Sequence, residues 1–297
     1  MSTARSPWAV LTLALLLAAA CSQEVERRAS PLTALQALIE GATPLPFERV
    51  GDEDDEAAID FPESSGLTYH PLRKTLFTVS DDGHIGEFRT DGTLVQRRHL
   101  LFEDFEGITA HSQTGLLYLA IEGRDNVLEV DPEGLVIRRE YDLQRVFEGR
   151  KLFQLGGEGI EAIAFVPDPA HPEGGTFFVL NRSRHPKDLD DPPLVLEFEL
   201  PLSSTSNGEL EGQIRSYARL QVTELSGLHY DADADRLYAV SDDHKLLLEL
   251  TRGGKIVNVH DLPAEDPEGI AMDGDFLYIA QDSEGIVKFR PTEALER

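Results

Sequence analysis

Residues 63–82 read ESSGLTYHPLRKTLFTVSDD, and residues 224–243 read ELSGLHYDADADRLYAVSDD. Glu, Ser-Gly-Leu, Tyr, Leu, an aromatic, Val and Ser-Asp-Asp recur in register, Glu63 matching Glu224. A second pair follows the same plan: EDFEGITAHSQTGLLYLAIEG from Glu103 and EDPEGIAMDGDFLYIAQDS from Glu265. Between the pairs stands another copy, EGIEAIAFVPDPAHPEGGTFFVLN from Glu158. Recurrence at a fixed period is the mark of a repeat architecture.

Each copy opens a short strand at Gly-Leu or Gly-Ile, turns at Pro, Asp or Gly, and enters a second strand. That second strand is built on Leu76-Phe77, Leu117-Tyr118, Phe177-Phe178, Leu237-Tyr238 or Leu277-Tyr278. Two further extended stretches follow, as in His84 to Phe88 and Leu94 to Leu101, parted by the turn Thr90-Asp91-Gly92. Four antiparallel strands, repeated, predict an all-β fold, a β-propeller of four-stranded blades. Five blades fit the copies. Six is the alternative, should the long segment from Ala162 to Thr223 hide another. His185 to Pro193 and Ser203 to Gly212 have loop compositions, which favours five. The last copy has room for three strands before Arg297, so Leu45 to Val50 is expected to supply its fourth and close the ring.

Upstream, Arg5 precedes an apolar run from Trp8 to Ala20, too short for a lasting membrane span but suited to a secretory signal over residues 1–20. Leu17-Ala18-Ala19-Ala20-Cys21 resembles a lipobox, although Ala18 stands where Leu is commonest. Cys21 is the sole cysteine, so no internal disulfide can form, and lipidation would account for a thiol in an oxidising compartment. Ser22 after it is compatible with sorting to the outer membrane, facing the periplasm. Residues 21–44 are expected to be a tether, with Leu32, Leu35, Leu38 and Ile39 at helical spacing. The propeller domain is assigned to 45–297.

The chain carries 54 Asp and Glu against 27 Lys and Arg, a formal charge of -27. Such a surface repels a phosphate backbone and excludes nucleic acid, while cations are its natural counter-ions. In a blade, the start of strand one and the end of strand two meet at one face. The strand-one starts carry Glu63, Glu106, Glu161, Glu224 and Glu268, with Glu103, Glu158 and Glu265 three residues ahead in some copies. The strand-two ends carry Asp81, Glu122, Asp242 and Asp282, and blade three breaks the column with Asn181 and Arg182. Carboxylates gathered at a narrow mouth need neutralising, and Ca²⁺, with its six to eight oxygen ligands, is the simplest means. Arg182 is a candidate built-in counter-charge. The competing reading has the glutamates bonding backbone N–H groups of the next blade.

No G-x-S-x-G elbow and no H-E-x-x-H pair is present, which argues against the hydrolases that use them. His84 and His185 follow second strands and would reach the same face. Two functions are therefore carried forward. One is a monomeric, membrane-anchored binding module for a cationic ligand or an envelope protein. The other is a metal-dependent hydrolase of phosphoesters, esters or lactones, with Glu106 or Glu268 as general base.

The motifs E-x-S-G-L-x-Y at Glu63 and Glu224, E-G-I at Glu106, E-G-I-E-A-I-A at Glu158 and P-E-G-I-A-M-D at Pro267 together resemble the SdiA-regulated family of bacterial propeller proteins. A looser similarity reaches the domains named for an esterase-like activity of phytase. The resemblance spans nearly all of 45–297. It implies a propeller, an envelope location and calcium near the channel, and it names no settled reaction. Where relatives tend to carry Glu after the third blade's second strand, this chain has Asn181-Arg182-Ser183-Arg184.

Overall fold

The computed structural model describes residues 30–51, 59–61, 63–152, 159–184, 192–206, 208–283 and 285–292. Cys21, Glu158 and His185, and the signal segment with them, lie outside these residues.

The alternating apolar patterns form antiparallel meanders. Ser64–His70, Thr75–Ser80, His84–Arg89 and Leu94–His99 make the first four-stranded sheet. Phe105–Ala110, Leu117–Ile121, Asn126–Asp131 and Val136–Leu143 make the next. The segment read as one blade with two long loops holds Ile160–Pro167, Gly175–Asn181, Leu194–Glu199 and Leu210–Arg219 in a single meander. Its fourth strand starts inside the stretch expected to be loop. There Leu210 to Gly212 run parallel beside Tyr141 to Leu143 of the preceding meander, a pairing no local pattern announces. Leu225–Asp231, Arg236–Ser241, Leu246–Leu250 and Ile256–Asp261 follow, then Pro267–Met272, Leu277–Gln281 and Gly285–Pro291. Phe47–Arg49 pairs antiparallel with that last strand, Glu48 opposite Arg290.

The first strands of successive meanders neighbour one another, and Pro267–Met272 lies back against Ser64–His70. The apolar layers follow the same cycle, each shared by two successive meanders. The last joins Ala271, Tyr278 and Ile286 to Leu67, Leu76 and Phe88. First strands are therefore buried on both faces, whereas the outermost, such as Leu94–His99, are largely exposed. Gly107 shows how close the first strands come: a Cβ there would lie 2.9 Å from Ala162 Cα.

The expected helix forms over Pro31–Glu40 (α1). Ser30 caps it, its Oγ accepting from Thr33 N at 3.2 Å, and Pro31 begins it. Leu35 is buried in the layer shared by the third and fourth meanders. After α1, Thr43–Pro44 runs parallel to Ile256–Asp261. No helix among the described residues is long and apolar enough to cross a membrane.

Candidate functional site

Every first strand carries a register irregularity at one place, immediately before the Gly of the repeat or, in the third meander, before Ala162. A bulge leaves one residue unpaired and re-aims its side chain. The bulged residues are Ser65, Glu106, Glu161, Ser226 and Glu268. The expected uniform column of glutamates thus resolves into two tiers. Glu106, Glu161 and Glu268 occupy the bulges, while Glu63 and Glu224 stand two residues earlier, both in the left-handed region (φ 52° and 51°). Asp104 and Asp266 share that earlier position in the repeat.

The strand-two ends close onto the outer tier through the backbone. The N–H of Glu122 donates to Asp104 O at 3.0 Å, that of Asp242 to Glu224 O at 2.9 Å, and that of Asp282 to Asp266 O at 3.2 Å. Arg182 N makes the same bond to Gly159 O at 3.2 Å, so the guanidinium hangs from a position that is acidic in the other meanders. Its Nε lies 3.1 Å from Glu224 Oε2 and its Nη1 3.5 Å from Glu161 Oε2, which makes it the counter-charge expected of it. Lys245 adds a second cation, 2.9 Å from Asp242.

Asp104, Glu106 and Glu122 bring one carboxylate oxygen each within 4.8 Å of one another, half-buried. Burial raises the Glu106 carboxyl well above the usual range, and Asp104 and Glu268 add to it. Glu161 is fully buried and raised by burial and by Glu106, against the pull of Arg182. Burial, then Asp242, pushes Glu268 up to about 8, with Asp282 contributing. Burial and Glu122 push Asp104 up to about 6. Acids from different meanders therefore sense one another across the axis, as convergent first strands require. Glu63, Asp81 and Asp82 form a separate exposed group, in which Asp81 raises Glu63 and Asp282 contributes to both.

Two oxygens define the inner site: Glu161 Oε1 and Asp104 Oδ1 are buried with no hydrogen-bond partner among the described residues. Buried carboxylate oxygens left so are costly unless something else meets them. Two ligands on opposite sides of one Ca²⁺, at 2.3–2.6 Å each, stand about 5 Å apart, so the trio fits within one coordination sphere. An all-oxygen donor set is the one a hard cation such as Ca²⁺ takes, whereas zinc sites usually include His or Cys. The alternative role, tying blades through the backbone, falls to a serine: Ser226 Oγ donates to Pro267 O at 2.8 Å.

Neither Asp104 nor Lys245 is among the acids and the cation that the repeat singles out, and Asp82 enters it only as the last residue of Ser-Asp-Asp. Counted back from the Gly of each copy, Asp104 stands in register with Glu63 and Glu224, and Glu103 stands one residue ahead of that position. Glu103 instead pairs with Arg124 at 2.9 Å, and Glu265 is exposed. His84 reaches Asp82, Nδ1 to Oδ1 2.7 Å, at the rim.

First strands arranged about an axis, with acids gathered at one end, define a β-propeller with an acidic channel mouth. The SdiA-regulated family pattern matches residues 55–290, and the chain belongs to that family. Among solved structures it is similar to the glutaminyl cyclase of Myxococcus xanthus, at 13% identity and TM-score 0.56, covering 82% of this chain and 95% of that one; this likeness is one of fold alone. The β-propeller domain of Cps50 (Swd1) from Myceliophteria thermophila matches at 10% identity and TM-score 0.48, covering 83% of this chain and 100% of that one. No curated protein matches the chain.

Proposed function

We propose that this chain is an envelope protein, lipidated at Cys21 after removal of residues 1–20, whose propeller binds Ca²⁺ at its acidic mouth and serves as a binding module for a cationic ligand or an envelope partner. The reading takes the propeller as five-bladed, closed by Phe47–Arg49 on Gly285–Pro291. The pairing of those two strands and the cyclic sharing of apolar layers support it.

The observation that carries the metal is the pair of buried, unpartnered oxygens of Glu161 and Asp104 beside the Asp104–Glu106–Glu122 trio. Glu106 and Glu122 would hold the ion with Asp104, Glu161 would complete the inner sphere, and Arg182 would keep Glu161 and Glu224 in place. The ion would supply positive charge where several acids converge, and its unfilled positions would accept an oxygen ligand from a partner.

Calorimetric titration of the chain with Ca²⁺, paired with thermal melts, tests this. Binding is expected, with stabilisation of about 2.7 kcal/mol at a hundredfold excess over Kd. Glu106→Gln is expected to weaken it at least tenfold. Absence of both heat and melting shift would remove the metal from the proposal.

A further inference from the structure

The first strands have a second set of ends. On the face opposite the acids, their terminal residues and the turns after them enclose a cavity of about 420 Å³. All five first strands contribute to its wall, among them Tyr69, Ala110, Phe165, Tyr230 and Met272. It therefore lies on the same axis as the acidic mouth. Strands of this length, at about 3.3 Å per residue, put the two ends about 20 Å apart. No single ion serves both.

We infer that this cavity is a second binding site, one for a small organic cation with an apolar body. Its volume is that of a small-molecule site. Asp231, Asp233 and Asp273 stand in the wall, and no Lys or Arg is among the residues lining it. Asp231 and Asp273 accept N–H bonds from their own turns, and Asp273 also accepts from Tyr278 Oη. These neutral donors leave the negative charge in place, so an anion would meet repulsion there and a cation attraction. The field reaches the aromatic wall: the Tyr69 hydroxyl is raised by burial and then by Asp273 and Asp275. Aromatic faces beside carboxylates are the usual means of holding an ammonium group. Arg252, over the Tyr230 ring at 5.3 Å, has its charge matched by Asp235 at 2.6 Å.

His229 is the remaining basic group of the wall. Burial lowers its imidazole to about 4, so it is neutral and does not oppose a cation. Among the described residues its ring nitrogens have no hydrogen-bond partner, which leaves one to accept from a guest hydroxyl or N–H.

Choline and its uncharged isostere 3,3-dimethylbutan-1-ol, titrated against the full chain by ligand-observed NMR, provide the test. Choline is expected to bind at least about tenfold tighter than the isostere, a coupling within the range for desolvated cation–aromatic contacts. Tyr69→Leu is expected to lose about tenfold in choline affinity. The exposed Asp233→Asn, which spares the wall's packing, is expected to lose about threefold. No choline binding at 10 mM, equal binding of the isostere, or wild-type affinity in both variants would each overturn the inference. Stoichiometric displacement of choline by Ca²⁺ would also overturn it, by placing the cation at the acidic mouth; failure of calcium to bind at all would leave this site standing.

Discussion

Glu161 has one oxygen on Arg182 and, among the described residues, no partner for the other, and it is fully buried. A carboxylate so placed keeps its charge through its partner or takes up a proton. Arg182→Gln removes the partner and should cost about 3 kcal/mol at pH 8, as breaking a buried pair does. At pH 5 the cost should be smaller, because Glu161 can then be protonated. Urea unfolding at the two pH values checks this. The raised carboxyls have a pH dependence of one sign, opposite to that of Asp82 and Glu87, whose hydrogen bonds hold them low. The folded-state values of Asp104 (about 6) and Glu268 (about 8) lie above those of an unfolded chain, so the native state holds more protons between them. The contribution of these two carboxyls to the stability of the calcium-free protein is fully present near pH 4 and is lost as pH rises toward 8. Thermal melts across pH 5–8 should show the melting temperature declining by several degrees, with calcium flattening the slope.

At the scale of the element, the bulge does the positioning. Without an extra residue at position 106, 161 or 268, alternation would put that side chain into a sheet face and not toward the axis. Close approach of the first strands follows from the small residue after each bulge. Gly107→Ala would set a Cβ 2.8 Å from Ile163 N and 2.9 Å from Ala162 Cα, both backbone and unable to move aside. A loss of about 2 kcal/mol is expected, with weaker calcium binding because the strand carrying Glu106 shifts. Chemical denaturation and calorimetry on one preparation separate the two effects. Third strands carry a different acid column, with a structural task. Glu129 accepts from Tyr118 Oη at 2.9 Å and Tyr141 Oη at 3.1 Å and is paired with Arg139, and Glu87 pairs with Arg73 at 2.7 Å. Part of the chain's negative charge is therefore internal and already matched.

For the molecule as a whole, two strands far apart in the sequence meet in one sheet, the strand from residue 47 covering the edge of the strand from residue 285. Removing residues 1–50 would uncover that edge and take away α1, whose buried Leu35 covers part of the apolar layer of the third and fourth meanders. An open edge beside Val287 and Phe289 invites pairing with a second copy. Size-exclusion chromatography with light scattering should find the truncated protein dimeric or aggregated at concentrations where the full chain is not. The net charge of -27 opposes association of intact copies and draws cations to either mouth of the channel.

The repeat at Glu63, Glu103, Glu158, Glu224 and Glu265 determined the all-β class, the meanders and most of the acids at the mouth, because strand alternation and turn residues are local properties that a linear pattern records. Arg182's place in the acid column was legible for the same reason, as a break in a repeat. Tertiary structure alone decided which acids are buried and coupled, since burial depends on neighbours brought in from other meanders. It separated Glu106, Glu161 and Glu268 from Glu63 and Glu224, through bulges that depend on pairing partners. It also put Asp104 in the site in place of Glu103, and it set Leu210 to Gly212 beside Tyr141 to Leu143. The cavity at the far mouth belongs to the same class of fact. Its wall is assembled from residues far apart in sequence, and closure of the ring is what makes them neighbours.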